Sequence, residues 1–178
     1  MILLILIVTD LSFWQYCKAS QFVYDEYGCM QSDQYDAGMN GGKKHMTGIE
    51  KVIQFLDEVH TYYLATVEGD QPRVRPFGTA LVYNGRPYIQ TGKVKNVSRQ
   101  LAANPKAEIC AFSGGKWLRV AGELINDDDH AVKVAMLEKM PSLKGMYSAE
   151  DDNMQVLYFR NAQATFSSFT EAPETFSI

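Results

Sequence analysis

The chain has 178 residues and a formal net charge of −4; 46% of residues are hydrophobic and 21% charged, with 6 Pro and 13 Gly. These values fit one soluble globular domain and exclude collagen-like and low-complexity chains. The mild acidity argues against a general nucleic-acid binder, which shows a basic surface, so a local basic cluster points to a small anionic ligand.

The opening MILLILIV is too short to span a bilayer. It lacks a positive n-region, Asp10 ends it early, and no small-residue cleavage site follows. Residues 15–42 show neither helical nor strand period. Gly41-Gly42-Lys43-Lys44, just before His45-Met46, reads as the translation of a purine-rich ribosome-binding sequence. Residues 1–45 are therefore read as a leader outside the domain. It is either untranslated sequence ahead of a start at Met46 or a disordered extension. Residues 46–178 are read as the single domain.

Thr47 can cap a helix over 48–59 with Ile49, Val52, Ile53 and Leu56 on one face. Residues 61–67 are β-branched and aromatic and predict a strand. Glu68-Gly69-Asp70-Gln71 is a turn. A second strand runs over 72–83, bent at Gly78. Asn84-Gly85 is a strong hairpin signal, and the returning strand is 86–90. A short helix over 92–103 is stopped by Asn104-Pro105. Strands follow over 107–112 and 116–125, joined by Ser113-Gly114-Gly115. A helix over 127–140, with Val132, Met136 and Leu137 on one side, ends at Pro141. After an acidic loop over 148–153 come strands 154–160 and 161–169. The polar tail from Thr170 is expected to fray. Short hairpin-linked strands with three interposed helices specify an α+β domain on a small antiparallel barrel.

Arg73 and Arg75 share one strand face, since side chains two apart point the same way. Lys93 and Lys95 open the helix that follows. Cations are the wrong residues there, because a helix N-terminus carries partial positive charge and free N–H groups. They make sense if an anion completes the site. The later helix, opening Asn126-Asp127-Asp128-Asp129, shows the expected acidic start. The plainer alternatives are a solvated basic stripe for the arginines and surface lysines for the helix start.

Other residues read as structural. Cys17 and Cys29 fall in the leader, and Cys110, in an apolar run, is expected to be a buried core thiol. Met136, Met140 and Met146 are expected to fill core space. Arg119 is either a site residue or a partner for Glu123. His60 follows a helix end, and His130 is expected to pair with the preceding Asp run. No zinc-ligand spacing is visible, and no catalytic acid or base is identified.

The ordered set of segments then carries a resemblance: the strand–Asn84-Gly85–strand hairpin, Gln90-Thr91-Gly92-Lys93-Val94-Lys95-Asn96, Leu101-Ala102-Ala103-Asn104-Pro105, and Trp117-Leu118-Arg119-Val120-Ala121-Gly122-Glu123. It resembles the pyridoxamine 5'-phosphate oxidase-like proteins, the FMN-binding split β-barrels, across roughly 49–169. RVRPFG with QTGKVKN is closest to a small bacterial branch. The resemblance implies a six-stranded antiparallel split β-barrel with three flanking helices. It implies a homodimer with two FMN sites at the interface. Arg73, Arg75, Pro76 and Phe77 would line the flavin ring, and Thr91, Lys95 and Asn96 would hold the phosphate, assisted by Lys93, with Gln90 and Trp117 nearby.

The implied activity is that of a cytoplasmic flavin-dependent oxidoreductase. It would take electrons from a nicotinamide donor and pass them to a quinone, nitro-compound or oxygen, with no nucleic acid and no membrane as partner. A non-catalytic flavin sensor or store, and a split barrel binding deazaflavin or haem, are the alternatives. True pyridoxamine phosphate oxidases carry Ser-Arg-Lys where this chain has Lys95-Asn96-Val97, and Gln at Trp117. They also end in a Trp- and Arg-containing segment, where this chain reads EAPETFSI. Vitamin B6 oxidation is therefore not expected.

Overall fold

The computed structural model describes residues 22–25, 28–31 and 46–178. The chain divides into two compact units, Met1–Lys44 and His45–Ile178. In the first, β1 (Phe22–Asp25) and β2 (Gly28–Gln31) pair antiparallel, a hairpin that the sequence pattern does not announce. The rest of the expected leader lies outside the described residues.

The second unit opens with α1 (Gly48–Val59), whose boundaries match the sequence reading. Thr47 and Glu50 close a reciprocal capping box: Thr47 Oγ1 accepts from the Glu50 amide at 3.2 Å, and Glu50 Oε2 from the Thr47 amide at 2.7 Å. Val52, Ile53 and Leu56 turn one apolar stripe to the core.

Eight antiparallel strands form the sheet. They are β3 (Tyr62–Glu68), β4 (Gln71–Phe77), β5 (Leu81–Tyr83), β6 (Arg86–Gly92), β7 (Lys106–Ser113), β8 (Lys116–Asp127), β9 (Met154–Ser168) and β10 (Glu174–Ser177). Their order is β4-β3-β7-β8-β9-β6-β5, with β10 on β9. The sheet is not closed, and β4 and β5 end it on either side. The helices α2 (Asn96–Ala103) and α3 (His130–Lys139) follow β6 and β8. The α+β class with three helices stands.

The six strands that the resemblance implied are corrected to eight, and the seven segments placed by pattern become eight for three local reasons. The expected strand over 72–83 breaks after Phe77, so β4 and β5 are separate elements on opposite sheet edges. The expected pair over 154–169 is one strand, β9, which runs past β8 across an irregularity between Ala121 and Glu123. Gly122 makes that passage possible: a Cβ there would lie 2.5 Å from the Ala162 Cβ. The tail does not fray. Phe176 packs edge-on against Phe166 at 6.2 Å, Lys51 bonds Glu174 at 2.9 Å, and the Ile178 amide bonds the Ala162 carbonyl at 2.9 Å.

Two cores lie on the sheet. One joins α1 and the inner face of α2 (Val97, Leu101) to Leu64, Ile89, Ile109, Leu118, Val120 and Leu157. The other joins Val132, Met136 and Leu137 of α3 to Tyr88, Met154 and Val156. Asn84 and Gly85 both take positive φ, 47° and 72°, as the expected hairpin turn requires. No helix among the described residues is long and apolar enough to cross a membrane.

Candidate functional site

A cavity of about 720 Å³ opens between β4, the turn from β6 into α2, and the segment after α3. Of the residues read from sequence, Arg73, Arg75, Pro76, Phe77, Gln90, Thr91, Lys95 and Asn96 line it. Lys93 and Trp117 do not. Lys93 turns away to an ion pair with Asp128 at 3.2 Å. Trp117, on β8, packs against Phe169 with ring centroids 5.2 Å apart.

The start of α2 is unlike the other two helix starts. Its N-cap is Lys95, which makes no side-chain cap bond. The Lys95 ammonium lies 6.0 Å from the centre of the Tyr147 ring. The cavity is also lined by Thr91, 1% exposed, whose Oγ1 has no hydrogen-bond partner among the described residues. A buried hydroxyl without a partner is costly and asks for an explanation. Here it borders the cavity beside an uncapped helix end and a lysine.

The turn that carries this group is held firmly. Asn153 accepts from the Lys93 amide through its carbonyl at 2.7 Å and from the Val94 amide through its side chain at 3.2 Å. Gly92 is needed at the close approach, since a Cβ there would lie 3.0 Å from the Tyr147 hydroxyl and 3.1 Å from Asn153 Oδ1. Burial alone would raise the Asp128 carboxyl pKa. Hydrogen bonds from Lys93 and Asn126, with the charges of Lys93 and Lys133, outweigh it and hold the group below its ordinary value.

The two arginines play different parts. Arg73 is tied to Glu68 at 2.7 Å, and that bond and charge hold the Glu68 carboxyl below its usual range. Arg75 meets neutral acceptors: the Leu64 carbonyl at 3.1 Å, Thr66 Oγ1 at 2.7 Å and Gln100 Oε1 at 2.6 Å. Partial burial, then the charge of Arg73, lowers its pKa; a guanidinium still stays protonated. Gln90 spends its amide on the Thr91 carbonyl at 2.8 Å, and Thr79 binds the Gln90 backbone.

Several lining residues escaped the sequence reading: Thr79, Gln100, Leu143, Met146 and Tyr147. Met146 was expected in the core but is 68% exposed at the cavity rim. The 3-10 turn Pro141–Gly145, unmarked by any period, ends the regular helix before it and swings Met146 outward. Cys110 was expected to be buried and is exposed, because it falls on the outward phase of β7 between buried Ile109 and Ala111. His130 pairs with Glu150 at 3.2 Å, because Asp129 is occupied capping α3. Arg119 bonds Glu108, the diagonal residue on the adjacent strand β7, and Glu123 instead holds Arg160 at 2.9 Å.

A family model described as pyridoxamine 5'-phosphate oxidase matches residues 49–167. Among solved structures, a NimC/NimA family protein from Clostridium acetobutylicum is 45% identical, with a TM-score of 0.71, over 74% of this chain and 92% of that one. A heme binding protein from Mycobacterium smegmatis (16% identical, TM-score 0.60, 75% of this chain and 59% of that one) shares the fold. So does a pyridoxamine 5'-phosphate oxidase-related, FMN binding protein from Nostoc punctiforme (15%, 0.51, 75% and 98%). No protein of curated function matches the chain. The match over most of residues 46–178, on a sheet and cavity built as described, places the chain in the pyridoxamine 5'-phosphate oxidase family.

Proposed function

We propose that this chain is a cytoplasmic FMN-binding flavoprotein, an oxidoreductase that takes electrons from a nicotinamide donor and passes them to a small acceptor such as a quinone, a nitro-compound or oxygen. The observation that carries the reading is the partnerless Thr91 hydroxyl beside the uncapped α2 start and Lys95. Together they offer a buried O–H donor, free helix N–H groups and a cation to one anion of about two charges. Lys95 acts as a point charge, and each charge-assisted bond contributes about 1.5–3 kcal/mol. The Nostoc relative described as FMN binding supports the same ligand.

Bound FMN would supply the redox chemistry, and the protein's part is to bind, orient and tune. Pro76 and Phe77 offer backbone and an apolar surface at the strand end. Arg75 offers a positive charge that no carboxylate bonds, which favours the negative charge a flavin gains on reduction. Lys93 assists only if it leaves Asp128.

The same reading includes a homodimer. Tyr63, Val74 and Phe112 project from one sheet face and are 53%, 64% and 61% exposed. One face of an antiparallel sheet in water is normally polar; an exposed apolar one marks an interface. Val74 also lines the cavity, so the site runs out onto this face. Sedimentation should give a dimer, and a monomer at working concentration would remove this part of the reading.

Haem is the second reading, prompted by the Mycobacterium relative. Among the described residues no His or Cys lines the cavity, and Tyr147 and Met146 are the side chains of a haem-ligand type there. Deazaflavin would use the same anion site. The test is the visible spectrum of the protein after incubation with FMN and removal of the excess. A retained, structured flavin band supports the reading, and its absence removes it. Turnover of NADH with an acceptor separates an enzyme from a flavin sensor or store.

A further inference from the structure

One side chain outside the expected site joins the two halves of the cavity. Gln100 projects from α2, the helix whose start carries Lys95, and is 5% exposed. Its Oε1 accepts from Arg75 Nη2 at 2.6 Å and from Thr66 Oγ1 at 2.7 Å. Thr66, itself buried, accepts in turn from Arg75 Nη1 at 2.7 Å. The Gln100 side chain also interacts with Glu68. The contrast with Arg73, bonded directly to Glu68, is the informative point. A neutral acceptor fixes a guanidinium without cancelling its charge, whereas a carboxylate does both.

We propose that Gln100 is a positioning residue that holds Arg75 toward the cavity as a cation bonded to no carboxylate, and so sets the potential of the flavin bound there. The inference rests on the flavin reading above. A cation near the ring favours the reduced cofactor over the oxidised one, and the protein's charge arrangement is one of its means of tuning a flavin.

The test uses the full chain loaded with FMN, in wild type, Gln100→Glu and Gln100→Met. FMN affinity and midpoint potential are measured for each. Gln100→Glu keeps the size and the bond to Arg75 but adds a compensating charge. We expect it to retain FMN and to lose about tenfold in its preference for reduced over oxidised flavin, a fall of about 30 mV for a two-electron couple. Gln100→Met removes the acceptor without adding charge and should lower the potential by less. A merely structural role would move stability alike in both and leave the potential alone. An unshifted potential in either variant that folds with FMN bound overturns the inference, as do equal shifts in the two, while the flavin reading survives. Failure of the wild type to retain FMN overturns both.

Discussion

The three helices of the domain begin in two ways. At α1 the Thr47–Glu50 box satisfies the first amides, and at α3 Asp129 accepts from the Ala131 amide at 2.8 Å. At α2 the cap position holds Lys95, whose side chain offers no acceptor. An N-cap Ser, Thr or Asp in place of a residue like Ala is worth about 0.5–2 kcal/mol, so α2 forgoes stability that the other two starts keep. The difference teaches that helix starts can be sorted from the side chains alone into those completed by the chain's own cap and those without one.

Lys95→Asp should break this comparison most strongly. It gives α2 a cap like that of α3, so the unliganded protein should gain about 0.5–2 kcal/mol in denaturant melts. FMN affinity should fall at least tenfold, the loss of one charge-assisted bond of about 1.5–3 kcal/mol. Retained affinity would show that the phosphate lies elsewhere. Arg75→Ala should come next. It weakens FMN binding and also costs about 1–3 kcal/mol of stability, because the buried acceptors of Thr66 and Gln100 lose their cationic donor. A variant that loses FMN at unchanged stability would mean that this network carries little. Thr47→Ala sharpens the contrast from the other side: about 1 kcal/mol less stable, with FMN affinity untouched.

Much of this was legible in the sequence, and the misses have common causes. Alternation and turn residues located β3, β6, β7 and β8 and the Thr47 cap of α1, because local chemistry decides those; α3 starts at His130 rather than 127, because β8 runs on to Asp127. The cationic start of α2 stood out for the same reason. Whether a strand breaks or bends is decided by neighbours. Gly78 marked a bend where the chain leaves one sheet edge for the other, and Gly122 gave no sign that β9 passes beside it. Gln100, Met146 and Tyr147 reach the cavity from segments whose local pattern says only helix or loop. Cys110 could have been placed by phase: the alternation that buries Ile109 and Ala111 turns it outward.

The smallest effect concerns the acidic run that opens toward α3. Asp128 holds Lys93 at 3.2 Å and reaches Lys133 at 3.9 Å, and its carboxyl pKa lies below the ordinary value in the folded state. A depressed carboxyl contributes stability in full above its unfolded pKa of about 4. That contribution is lost as pH falls through the lower folded value. Because the side chain is half exposed, solvent screens the pair and the contribution is small. Melts taken downward from about pH 5 should therefore show a slightly shallower acid limb for Asp128→Asn than for wild type. The same variant decides the role of Lys93. If Lys93 only tethers the turn to α3, FMN affinity stays unchanged when Asp128 is neutralised. If the lysine also serves the phosphate, releasing it from Asp128 tightens binding, and the start of α2 then draws on two cations rather than one.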